Sequence, residues 1–155
     1  MPASTVSTNY AAAHVSPLNP VAHRLGLVGL LPFVLGAFLS LIVRDDAHPY
    51  VVLALAGYAA VTVSFLGGIH WGLGMKATVP SPLPFAWSVV PTLIAWIAVV
   101  MPAYAGLVIQ GLMLIACYLV DRKVYPVHGL SYWLTLRFRL TVVSALSCFV
   151  GALRT

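Results

Sequence analysis

Residues 83–120 read LPFAWSVVPTLIAWIAVVMPAYAGLVIQGLMLIACYLV, 38 positions without an Asp, Glu, Lys or Arg. As one helix they would measure about 57 Å at 1.5 Å per residue, nearly twice the thickness of a bilayer's hydrocarbon core. The stretch must therefore fold back. Pro102, followed by Tyr104 and Gly106, is the expected turn, which divides the run into spans at about 85–101 and 103–120. Working outward, a preceding uncharged run at about 50–75 ends at Lys76, and one at about 24–43 ends at Arg44, Asp45 and Asp46. A last run covers about 135–153.

The sequence therefore predicts an all-α protein, a five-span transmembrane helical bundle. Only 7% of the 155 residues are charged, 61% are hydrophobic, and the mean hydropathy is +1.00. Backbone groups in lipid must be satisfied within a helix or a closed barrel, and these runs lack the strict alternation of barrel strands. Residues 1–22, rich in Ser, Thr, Ala and Pro, are expected to be a disordered N-terminal tail, with 23–155 forming one transmembrane domain. The first charge is Arg24, so the tail has neither the basic start of a secretory signal nor the arginines of a mitochondrial presequence.

Eight basic residues against three acidic ones give a formal charge of +5. With five spans, Arg24, Lys76, Arg122, Lys123, Arg137 and Arg139 fall on the side of the N-terminus, and Arg44 and Arg154 on the other. Cytoplasmic loops accumulate Lys and Arg, so the N-terminus is expected inside and the C-terminus outside. Topology thus accounts for the excess charge, and no nucleic-acid partner is expected. Cys117 and Cys148 fall at different depths and read as small packing residues.

Association of helices in lipid favours small residues. Ala56, Ala60, Ser64, Gly68 and Gly72 recur every four residues and form the expected packing stripe, with a homodimer seam as the alternative. Gly67 and Gly74 offer a second small surface, toward which His70 projects. Pro32 and Pro91 fall inside spans and are expected to kink them.

Few residues carry chemistry. His70, beside Trp71, is the only ionisable residue well inside a run, about 9 Å before Lys76. It reads as a neutral imidazole bonded to a neighbouring helix, as a contact for a quinone, a lipid or a haem, or as a proton carrier. Asp121, Arg122, Arg137 and Arg139 gather at the inner ends of two spans, either as an ion-paired rim or as an anionic headgroup site. Residues 125–133 between them read as an interfacial loop or short surface helix. Gln110, near mid-bilayer, needs a partner on another helix, for which Ser88, Thr92, Thr141 and Ser144 are candidates. Asp45, Asp46 and His48 are adjacent loop residues with weak metal character, and no metal site is expected. Gly-rich phosphate loops, paired carboxylates within spans, nucleophile elbows and zinc spacings are all missing. No catalytic residue is assigned and an enzyme is not expected.

The run 64–72, SFLGGIHWG, resembles the signature of the transmembrane protein 69 family, small multi-pass membrane proteins of unknown function with bacterial and mitochondrial members. Leu31, Pro32 and Phe33, the WSVVP run at 87–91, Ala95 with Trp96, Asp121 with Arg122, and residues 134–141 extend the resemblance over about 25–153. It implies a helical membrane domain. It draws attention to His70, Trp71, Asp121 and Arg122 without giving them a reaction. The tail favours a bacterial inner membrane over a mitochondrial one. The leading expectation is a non-enzymatic accessory or assembly component of a membrane complex, in contact with the lipid bilayer and with a protein partner or a second copy. The alternative is a binding protein or carrier for a quinone, lipid or other amphipathic molecule, less readily haem, using His70. A channel or transporter is third. No cofactor is expected beyond a haem or quinone under that alternative.

Overall fold

A computed structural model describes residues 18–153 of the chain. Its helices are α1 (Pro20–Val28), α2 (Leu31–Ile42), α3 (His48–Lys76), α4 (Leu83–Val100), α5 (Ala103–Val127) and α6 (Leu134–Ala152), with a 3-10 turn at Ser131–Trp133 before α6. Five of the resulting segments are long and apolar enough to cross a membrane, with α1 and α2 together forming the first. Proline stands in the first turn of α1, α2, α3 and α4, where its missing N–H breaks no helical bond. Pro102 closes the turn into α5, as the long uncharged run requires.

The first span is broken. Pro32 has no N–H for the carbonyl of Val28 and its ring crowds that carbonyl, so the helix interrupts at Gly29 and Leu30 before resuming. In lipid such a break must be satisfied by protein. The Tyr58 hydroxyl on α3 supplies one bond, donating to the Gly29 carbonyl at 2.9 Å. The Asn19 side chain caps α1 by accepting from the Val21 N–H at 2.9 Å. The expected tail is therefore helical from Pro20, while residues 1–17, along with Arg154 and Thr155, lie outside the described residues.

Helix α3 is the hub, packing against α2, α4, α5 and α6; α5 and α6 also pack together, and α2 lies on α6. Its buried face is Val52, Leu55, Ala59, Val63, Leu66 and His70, spaced at three and four residues. This corrects the expected stripe. Ala56 is buried and Ala60 packs against the core, but Gly68 and Gly72 are exposed, with nothing within 4 Å of where a Cβ would stand. The reason is helical geometry: four residues advance about 400°, so a row repeating every four drifts about 40° per step and about 160° over the stripe. The jammed glycine is Gly67, where a Cβ would stand 2.5 Å from the Ser88 carbonyl oxygen on α4 and 3.3 Å from the Pro91 ring. Gly74 sits against Pro84 and Phe85.

Helix α5 runs past the expected end of its span at 120 and continues to Val127. Tyr125, expected in a loop, is buried on that extension. Gly129, at φ +70, takes the left-handed conformation that closes the helix end, leaving a short link before α6. Gln110 is fully buried and finds none of the expected hydroxyls. Its Nε2 donates instead to the Ala56 backbone carbonyl at 2.9 Å.

Candidate functional site

Three helices each contribute one ionisable side chain to a single point. His70 comes from α3, Asp121 from α5 and Arg137 from the first turn of α6. Asp121 accepts on both carboxylate oxygens. Oδ1 lies 2.8 Å from His70 Nε2, and Oδ2 accepts from Arg137 Nε at 2.8 Å and from an amino group of the same guanidinium. The three residues are 2%, 1% and 8% exposed. Depth explains why they meet. His70 is six residues before Lys76, and Asp121 is six residues before the end of α5 at Val127, so each is about 9 Å inside its helix end.

The cluster has a definite electrostatic logic. A guanidinium stays charged in proteins, and burying it without a counter-ion is strongly unfavourable. Asp121 compensates that charge within hydrogen-bond distance. A carboxylate so engaged only accepts, which places a hydrogen on His70 Nε2. The imidazole ring stands edge-on to Trp87 of α4, with centroids 6.4 Å apart. The Trp87 indole N–H is buried without a protein acceptor, one of few such atoms among the described residues.

Beside the cluster lies an apolar cleft of about 680 Å3 between α1, α3 and α6. Arg137, Tyr125 and Trp133 stand at one end of it, and Phe33, Tyr58 and Ser144 line it deeper in the bundle. The buried Tyr125 side chain adjoins the ion pair. His70 is not part of the wall. It stands behind Asp121, so Arg137 is the charged group that borders the space. A second cavity of about 410 Å3, between the start of α3 and the α4–α5 turn, is bordered by His48 and Met101 and, among the described residues, by no Asp, Glu, Lys or Arg.

The other sequence candidates divide cleanly. Arg122 and Arg139 are exposed, so the expected four-residue rim contracts to Asp121 and Arg137, joined by His70. Trp71 is half exposed and packs edge-on against Phe85 at 5.1 Å. Gly67 seats α4 beside His70, whereas Gly68 faces outward. Arg44 and Asp46 form an exposed pair at 3.7 Å. Among the described residues no group of three His, Cys, Asp or Glu side chains stands close enough to hold a metal ion. Sequence reasoning misses Tyr58 and Tyr125. Tyr58 carries a signal, as a polar aromatic within a span whose neighbour is broken by a proline.

Apolar helices of membrane-crossing length around a buried ion-paired centre define a multi-pass transmembrane helical bundle. The chain belongs to the family described as "Protein of unknown function (DUF3429)", whose model matches residues 18–153. It is 38% identical over 136 residues to transmembrane protein 69 of Xenopus tropicalis, covering 83% of this chain and 52% of that protein. The chain thus spans about half the length of this curated relative. No solved structure matches it.

Proposed function

We propose that the protein is a non-enzymatic, membrane-embedded binding protein for an amphipathic small molecule, held in the cleft beside Arg137. One observation carries this reading: a fixed, desolvated cation stands in the wall of an otherwise apolar space of ligand size. Such a space between bundle helices accommodates a tail, and a buried ionisable group is a functional centre by default. Quinone and lipid both suit it. Haem through His70 suits it less, because His70 Nε2 is engaged by Asp121 and the ring lies outside the cleft wall. The test is mass spectrometry of small molecules retained by the purified full chain and by Leu140→Trp, which places bulk in the cleft wall about one helical turn beyond Arg137 without altering the ion pair itself. Retention by the native chain and loss from a stable Leu140→Trp variant is the expected result. A native chain that retains nothing at stoichiometric level would sink the reading.

A second reading, an accessory or assembly component of a membrane complex, draws on the outward glycine face of α3. Gly57, Gly68 and Gly72 present backbone to lipid with no neighbour, the composition that lets another helix approach closely. Native mass in mild detergent separates the two, since an obligate component persists as a larger assembly. Both readings place the N-terminal side in the cytoplasm of a bacterium. Reporter tags at residues 78–80 and at the C-terminus should then report opposite compartments, the former inside.

A further inference from the structure

We propose that the cleft selects a neutral carbonyl-bearing head group, the chemistry shared by quinones and fatty-acyl esters, and discriminates against phosphate and carboxylate heads. This rests on the binding reading above and adds to it the identity of the recognised group.

Charge balance is the first reason. Sites for anionic headgroups gather several unmatched Arg or Lys side chains. Among the described residues Arg137 is the only charged one in the cleft wall, and Asp121 already matches it. Arg122 and Arg139, the cations that would have made a phosphate site, are exposed on other faces. Bringing an anion beside a neutralised pair in apolar surroundings adds an unpaired buried charge, at a high desolvation cost. A neutral acceptor adds none.

Donor count is the second. A guanidinium carries five N–H groups, and Asp121 engages Nε and one amino group, Nη2. Three N–H groups remain, two on Nη1 and one on Nη2; Tyr125 also bonds the guanidinium, and what it does not engage is left for a guest. A charge-assisted bond from such a donor to a carbonyl oxygen is stronger than a neutral one, and the dry surroundings strengthen it further. Asp121 is in these terms a positioning residue: it cancels the charge of Arg137 while fixing which N–H groups are left over.

Wall chemistry is the third. Tyr125 and Trp133 stand at the polar end, and the remaining lining is aliphatic apart from Phe33, Phe65 and a few hydroxyls. A flat or ester-sized head at Arg137 with its tail along α1 and α3 matches this order.

The test uses the full chain in dodecyl maltoside, with equilibrium binding read by native mass spectrometry for four probes. Decylubiquinone and monodecanoin carry neutral carbonyl heads from the two sources, dodecyl phosphate is the anion, and dodecane is tail alone. At least one carbonyl probe should bind about tenfold or more tightly than dodecyl phosphate and dodecane, a difference that one good directional bond supplies. Preference between decylubiquinone and monodecanoin assigns the source. Equal binding of all four, or of dodecane with the best, overturns the head-group inference and leaves the binding reading standing. Tightest binding of dodecyl phosphate also overturns it. No binding of any probe overturns both. In Asp121→Asn, Arg137 loses its counter-ion, so dodecyl phosphate should gain about tenfold or more relative to the carbonyl probes; an unchanged ratio in a folded variant counts against the charge argument, and if the variant does not fold the wild-type ranking decides alone.

Discussion

The two ends of this bundle hold their helices together by different means. Toward the C-terminal end of the first span, backbones approach closely, with Gly36 and Gly151 both against Leu55 and Gly106 against the Ala98 backbone, and the cavity of about 410 Å3 there is bordered by no Asp, Glu, Lys or Arg among the described residues. Toward the other end, where α3 and α5 finish and α6 begins, the same helices converge on three ionisable groups and leave an apolar cleft beside them. Close backbone packing is the ordinary source of helix association in lipid, so the first region needs no further explanation. The second is built around a desolvated ion pair, an arrangement with little stability advantage over well-packed apolar residues. Both ends enclose a cavity and both have close glycine contacts, so what sets the second apart is the buried ion pair at its cleft, which helix association alone does not require.

The sharpest way to break that contrast is Asp121→Ala. It strands Arg137 without a counter-ion and should cost about 3–5 kcal/mol, read as loss of folded monomer or a large drop in thermal midpoint in detergent. A mild effect would mean that the cluster is solvated and that its region is not electrostatically special. Next is Gly67→Ala, whose added methyl meets the Ser88 carbonyl of a rigid helix; overpacking should cost about 1–3 kcal/mol by the same measurement. Gln110→Leu removes one bond to Ala56 together with an acceptor, Oε1, that has no protein partner, so the change should stay within about 1 kcal/mol in either direction. Last, Gly68→Ala and Gly72→Ala should cost nothing and stabilise α3 by up to about 1 kcal/mol each, because nothing faces them and alanine is the better helix former. A loss there, accompanied by a fall in native mass, would favour the assembly reading.

Much of the architecture is legible in the amino-acid sequence. Long charge-free runs and the turn at Pro102 follow from the limits a bilayer sets on helix length and backbone, and the disruption at Pro32 from proline's missing N–H, all of which act locally. What is not legible depends on which way residues face. The alanine and glycine row from Ala56 to Gly72 reads as continuous because four residues nearly complete a turn, and the accumulated rotation carries its last members to the lipid. Asp121 reads as the end of a span because a charge ordinarily marks one. It lies inside α5 because His70 and Arg137 satisfy it, and those partners come from residues 51 positions earlier and 16 later. His70 draws notice by its depth, yet the residue that borders the cleft is Arg137, which the sequence groups with Asp121, Arg122 and Arg139 in an inner rim without singling it out. Which of two paired groups faces a cavity is a property of the packing and has no local signature.

Because Asp121 meets its two partners on separate oxygens, the imidazole is electronically wired to a guanidinium it never touches. Whatever takes hold of Arg137 draws on the same carboxylate that polarises the His70 N–H, and hydrogen bonds in series respond together. The nitrogen resonances of that single ring therefore offer a built-in gauge of cleft occupancy. It sits far enough behind the wall that no guest need be labelled, and no probe need be introduced into the space being watched.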